Sequence, residues 1–279
     1  MEILQFEFMQ NAVAAGLLAS IICGIMGTLV VVNRIVFLSG GIAHAAYGGI
    51  GMAFYFKLPV MPSTMGFSLA AALLMAAVTL NARHRADTII GVIWALGMAL
   101  GIIMVDLSPG YNVDLMSYLF GSILTVPRSD LFIMLTQACV MGVLVIWFYS
   151  DILAVSYDEE FAKVMGLPVK RIYFGLIAML GLSVVLVIQV VGLIMVIALL
   201  TIPPFIVEKY AKSLGAMMVG ASVLGSVFTL CGLGLSYRFN LTSGAAIILV
   251  AGTAFMASLA WDKLKTIRHR PPLSTVEGS

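Results

Sequence analysis

Charge is what this sequence has least of. Only 10% of its 279 residues are Asp, Glu, Lys or Arg, while 62% are hydrophobic. Soluble domains carry roughly 25% charged and about 45–50% apolar residues, so an ordinary water-soluble fold is excluded. Cysteine is equally scarce. Cys23, Cys139 and Cys231 each sit inside an apolar block, which leaves no disulfide framework and no Cys-rich zinc site. No Gly-Lys dipeptide occurs, so the chain has no Walker-type phosphate loop and cannot hydrolyse ATP by that route. His-Glu-x-x-His is missing, and no Gly-x-Ser-Gly accompanies a second intramembrane histidine. Intramembrane protease chemistry therefore has no support. The formal net charge of +2 is too small to suggest nucleic-acid binding.

What is present is a series of long apolar blocks, with a mean hydropathy of +1.11. Nine of them approach the roughly 20 residues that cross a bilayer core of about 30 Å. They lie near 11–33, 36–57, 62–81, 88–106, 131–150, 172–188, 191–208, 213–236 and 243–262. The expectation is an all-α polytopic bundle of eight to nine spans over residues 1–265, with a disordered cytoplasmic tail at 266–279. The first block is too long for a signal-peptide core and has no basic segment before it. The run 172–208 is too long for one untilted helix, and it divides at Gln189–Gly192, where a polar residue and a glycine interrupt it.

Basic residues orient the spans, because loops on the cytoplasmic side carry the excess of Lys and Arg. One side collects Arg34, Arg83, Arg85, Lys163, Lys170, Arg171, Lys209, Lys212, Lys263, Lys265, Arg268 and Arg270; the other has Lys57, Arg128 and Arg238. This places the C-terminus in the cytoplasm and the N-terminus outside. The outside segment 107–130 contains an apolar stretch, Ser117–Leu124, too short to span. A re-entrant or interfacial helix packed on protein is expected there.

Three segments carry information about function. The second span runs Leu38-Ser-Gly-Gly-Ile-Ala-His44-Ala-Ala-Tyr-Gly-Gly-Ile-Gly51 and holds the only histidine in a membrane block. Ionisable groups at membrane depth are costly and usually face a partner or an aqueous cavity. Helical spacing puts Gly40, His44 and Gly48 on one face, beside a second small stripe of Gly41, Ala45 and Gly49. Small stripes let helices approach closely, and an imidazole nitrogen suits divalent transition metals. A histidine bonded to a nearby carbonyl, among glycines that serve packing alone, fits the same residues, and both readings stay open. The second segment is Tyr157–Arg171. Asp158 suits the cap of a short helix, Glu159 and Glu160 suit its positive end, and Lys163 comes further along. Gly166 suits its stop, with Pro168 following. In the third segment, Leu199–Pro204, the pair Pro203-Pro204 is expected to break or kink the seventh span.

At these segments the chain resembles the permease subunits of manganese, zinc and iron ABC importers, the ABC-3 family, from about residue 11 to 262. The carrying stretches are Phe37–Gly51, Ala86–Gly91, Tyr118–Leu124, Tyr157–Arg171, and Gln189–Gly192 through Pro203-Pro204. The resemblance implies a type II importer-like bundle in the bacterial inner membrane, dimerised with itself or a paralogue around one central pathway. It implies no tightly bound cofactor: the divalent metal ion is cargo, and ATP belongs to a separate ATPase subunit. The implied partners are that ATPase, an extracytoplasmic metal-binding protein, the second permease protomer and membrane lipid. It further implies that Asp158, Glu159, Glu160, Ala162, Lys163, Gly166, Leu167 and Pro168 form the coupling element. The pathway, with transient metal contact at His44, would involve Ser39, Gly40, Tyr47 and Gly48.

One departure stands out. Family members commonly show Gly-Asp-x-x-Ser-His in the second span, and that Asp–His pair is associated with metal in the pathway. Here the stretch is Ser39-Gly-Gly-Ile-Ala-His44, so the imidazole carries over and the carboxylate does not. A wider pathway without the carboxylate would suit a metal chelate such as a siderophore or cobalamin. A secondary transporter would need an acid at mid-depth, and no span carries one clear of its ends.

Overall fold

In the computed structural model the structure describes residues 7–81, 85–108, 121 and 123–268. Most of the expected re-entrant segment and the tail beyond Arg268 lie outside the described residues. Among the described residues every regular element is helical. The long helices are α1 (Glu7–Val32), α2 (Val36–Phe56), α3 (Val60–Asn81), α4 (Ala86–Asp106) and α5 (Arg128–Trp147). Two short helices follow, α6 (Tyr149–Tyr157) and α7 (Glu159–Val164), and then α8 (Val169–Val191), α9 (Leu193–Glu208), α10 (Leu214–Phe239) and α11 (Ser243–Arg268). Eight of these are long and apolar enough to cross a membrane; α9, with 16 residues, is the short one.

The division of 172–208 falls where the sequence places it. Gly192 separates α8 from α9 with φ 85° and ψ 159°, a backbone region essentially restricted to glycine. Pro203 and Pro204 do not break α9, which continues through both. Each proline withholds an N–H from the helix. At Leu200, whose carbonyl would have received the N–H of residue 204, helix α1 packs in through Gly27, which is close to both that carbonyl and the Pro204 ring. The fifth span also ends earlier than expected. It stops at Trp147 and the chain restarts as α6, a separate nine-residue helix.

Helices α1, α2, α8 and α9 form the centre, and α4, α5 and α11 expose most of their surface. The core is Ala, Ile, Leu, Met and Val from these central helices. Polar side chains stitch it: Ser20 of α1 meets Thr229 of α10 at 3.1 Å, and Gln137 of α5 donates to Ser183 of α8 at 3.4 Å. Such bonds hold spans together where lipid offers no competing partner.

Charged and polar side chains gather at the two ends of the bundle. At one end Asn33, Arg34, Tyr157, Glu159, Glu208 and Lys212 surround a polar cavity of about 600 Å³. Asp87 and Val169 border a neighbouring cavity that shares Asn33, Arg34 and Glu159. At the other end Glu7 pairs with Arg128 at 2.9 Å, Asn11 donates to the Val126 carbonyl, and Gly121 lies against the Val191–Gly192 backbone. Residues that the charge pattern assigns to one side of the membrane thus share one end of the bundle.

Candidate translocation site and coupling element

Helix α2 is buried along most of its length because its glycines admit neighbours at backbone distance. A Cβ at Gly41 would lie 2.6 Å from the Ile90 side chain, and one at Gly49 would lie 2.6 Å from the Thr64 Cα. Across from α2, helix α4 contributes Gly97 and Gly101, spaced four apart. Gly97 abuts Ala45, and Gly101 abuts Tyr47 and Gly51. This crossing is a small-xxx-small contact, and the Gly97-x-x-x-Gly101 spacing is its signal in the sequence.

His44 stands at the edge of this crossing, half-buried. Its Nδ1 lies 2.8 Å from the Gly40 carbonyl oxygen. A carbonyl only accepts, so Nδ1 is the donor and the neutral ring keeps its lone pair on Nε2, the atom a transition metal takes. One ring face is covered by Trp94 of α4, with centroids 4.0 Å apart and planes tilted by 31°. Trp94 is itself anchored, since its Nε1 donates to Met98 Sδ at 3.1 Å. Backbone, indole and thioether thus fix the imidazole. Nothing in the sequence of α2 points to Trp94, because the contact is made across two helices.

The other expected pathway residues divide. Gly40 is adjacent to His44 and open: a side chain there would have no atom within 4 Å of its Cβ. Space for a carboxylate is therefore present although the carboxylate is not. Ser39 is fully buried, with its hydroxyl donating to the Val36 carbonyl at 2.7 Å. Tyr47 is buried in the core. Gly48 is pressed against Phe67 and lies near the Gly97 carbonyl, in a packing contact within the single chain. Among the described residues no three or more His, Cys, Asp or Glu side chains gather as a metal cage. The imidazole stands as a single nitrogen donor beside an open space.

The segment after α6 is built as its residues direct. Asp158 accepts the Phe161 N–H at 2.9 Å and caps α7. Lys163 pairs with Glu159 and Glu160, each at 3.0 Å, and those bonds hold its ammonium above the ordinary lysine range. Gly166, with φ 79°, ends the helix. There the Gly166 and Leu167 N–H groups return to the Lys163 and Ala162 carbonyls, the paired bonds of a Schellman stop. Ala162 is buried against the bundle, Leu167 is partly covered, and Pro168 leads into α8. Outward-facing Phe161, Val164 and Met165 are exposed, Val164 to 85%. The result is a short capped helical projection that exposes Phe161, Val164 and Met165 beside the charged pair Glu160 and Lys163.

The chain is similar to known membrane proteins over nearly all of its length. The chain is 51% identical over 260 residues to an uncharacterized membrane protein of Synechocystis, covering 93% of this chain and 92% of that one. It is 33% identical over 253 residues to the manganese transport system membrane protein MntC of Listeria monocytogenes, covering 91% and 90%. Its fold superposes on PsaBC from Streptococcus pneumoniae, solved in complex with Fab, with a TM-score of 0.83 and 32% identity over 94% of this chain and 97% of that one. The model of the ABC 3 transport family matches residues 5–262, and the chain belongs to that family.

Proposed function

We propose that this chain is the membrane-spanning permease subunit of a bacterial ABC importer for a divalent transition metal ion. Manganese is favoured over zinc and iron because the MntC relative belongs to a manganese transport system. The single observation that carries the reading is His44, a held imidazole with a free nitrogen beside the open space at Gly40 in the most buried span. A lone nitrogen donor suits an ion that must be released again, since imidazole binds such metals but one ligand does not trap them. Capture from solution then falls to an extracytoplasmic binding protein, and ATP hydrolysis to a separate ATPase subunit. The permease makes and breaks no covalent bond.

In this reading the Asp158–Pro168 projection docks on the ATPase through Phe161, Val164 and Met165. It passes ATPase movement to α8, which it joins directly through Pro168. The N-terminus lies outside, the polar end that gathers Arg34, Glu159 and Lys212 faces the cytoplasm, and a second permease protomer completes the pathway around His44. Residues 1–265 act as one membrane domain, and 266–279 form a cytoplasmic tail. The test is reconstitution of the permease with its ATPase in proteoliposomes. ATP-dependent uptake of manganese that is lost in His44→Phe supports the reading; uptake unchanged in that variant overturns the role of His44.

A further inference from the structure

An apolar cavity of about 370 Å³ opens beside the projection, between α1, α5, α6 and α8. Its wall is Leu29, Leu144, Ile152, Leu176 and Met179. Gly175 also borders it, and a Cβ at that position would meet no atom within 4 Å, so the cavity extends up to the α8 backbone. Two charged residues border the same cavity: Asp151 at the start of α6 and Arg171 in the first turn of α8. No ion pair joins them among the described residues. The level of the cavity is marked by the end of α5, where Ile146 and Trp147 are 77% and 79% exposed. Tryptophan concentrates where hydrocarbon meets headgroups.

These observations combine into one chemical specification. The ligand must be apolar over a volume typical of small-molecule sites, about 300–1,000 Å³. It must also carry one cation and one anion close together at its polar end, to answer Asp151 and Arg171. A single fatty acid or an anionic lipid such as phosphatidylglycerol answers Arg171 and leaves a carboxylate facing its own negative charge. A phosphoethanolamine headgroup answers both, with the phosphate on the guanidinium and the ammonium donating to the carboxylate. We infer that the cavity holds one aminophospholipid of the surrounding leaflet, with an acyl chain in the apolar pocket and its zwitterionic headgroup between Asp151 and Arg171. The lipid would brace the joint between α6 and α8, the two helices that carry the 158–168 projection.

The test is native mass spectrometry of the full-length chain in detergent, titrated with palmitoyl-oleoyl phosphatidylethanolamine or phosphatidylglycerol. One phosphatidylethanolamine should be retained per chain, about tenfold tighter than phosphatidylglycerol, as befits one additional charge-assisted hydrogen bond. Asp151→Asn should abolish that preference while leaving phosphatidylglycerol bound, and Arg171→Gln should weaken both lipids. Gly175→Phe, which fills the cavity without altering either charge, should remove the bound lipid. Soluble glycerophosphoethanolamine, which has the headgroup and no chain, should not displace it. Equal retention of the two lipids by the unaltered chain overturns the inference, as does a preference that survives Asp151→Asn. Both outcomes are read without Gly175→Phe, so a folding defect in that variant leaves the test intact. Transport is not the readout, so the lipid site stands or falls independently of the metal cargo.

Discussion

Replacing Gly166 by valine should uncouple the permease from its ATPase, and the size of the effect follows from the backbone. Gly166 sits at φ 79°, in the left-handed region. A residue with a Cβ pays about 1–2 kcal/mol there, and a β-branched one more. Space is not the issue, because a Cβ at 166 would meet nothing within 4 Å; the penalty is purely conformational. It falls on a helix of six residues whose N-terminal cap, Asp158, contributes about 1 kcal/mol. A strain of that size is comparable to everything local that holds α7, so the projection should fray and lose the Leu167–Ala162 closure. The decisive control is Gly166→Asn, because asparagine tolerates the left-handed region far better than other residues with a side chain. Co-purification of the ATPase and transport-coupled ATP hydrolysis should fall in Gly166→Val and survive in Gly166→Asn. Normal assembly and coupling in Gly166→Val would refute the reasoning, and so would equal loss in both variants.

Other outcomes follow from the same geometry. His44→Phe keeps the stack on Trp94 and loses only the bond to Gly40, whose carbonyl already belongs to the helix, so its thermal stability should stay within about 1 kcal/mol of the unaltered protein as uptake disappears. Thermal unfolding and metal uptake measured on one preparation check this together. Gly40→Asp meets no steric obstacle and should raise affinity for metal, read by isothermal titration, at some cost in stability without the ion because a carboxylate at membrane depth is unfavourable. By contrast, Gly101→Leu drives a side chain into the Tyr47–Gly48 backbone and should cost more than the roughly 1–3 kcal/mol of ordinary overpacking, visible as loss of folded protein in size-exclusion profiles. For orientation, Lys163→Cys in a Cys-free background should react with an impermeant maleimide only from the cytoplasmic side; labelling from outside would invert the topology.

Much of this architecture is local in origin and was therefore legible. Span positions follow from runs of apolar residues, and the split of 172–208 follows from a glycine that takes a conformation other residues avoid. The 158–168 projection is readable because cap, charge pairs and stop lie within eleven consecutive positions. The misreadings share a cause. Of the two outcomes expected at Pro203-Pro204, a break or a kink, the break does not occur: α9 runs on through both, with α1 packed against it at Gly27. The Gly97-x-x-x-Gly101 spacing marks α4 as a close-packing helix, but its partner α2 and the Trp94 stack on His44 depend on which helices become neighbours, and no single segment encodes that. Nor could the spacing Gly40–His44–Gly48 separate its members: the structure leaves Gly40 open and presses Gly48 against Phe67, although both lie one turn from His44.

The most direct test of the central claim is radiolabelled manganese uptake into proteoliposomes that contain the permease, its ATPase and the loaded binding protein, with zinc and iron as competitors. Uptake should require ATP, should saturate, should be competed most strongly by unlabelled manganese, and should vanish in His44→Phe. Uptake that proceeds without the ATPase, or a complex that moves a metal chelate and ignores the free ion, would contradict it.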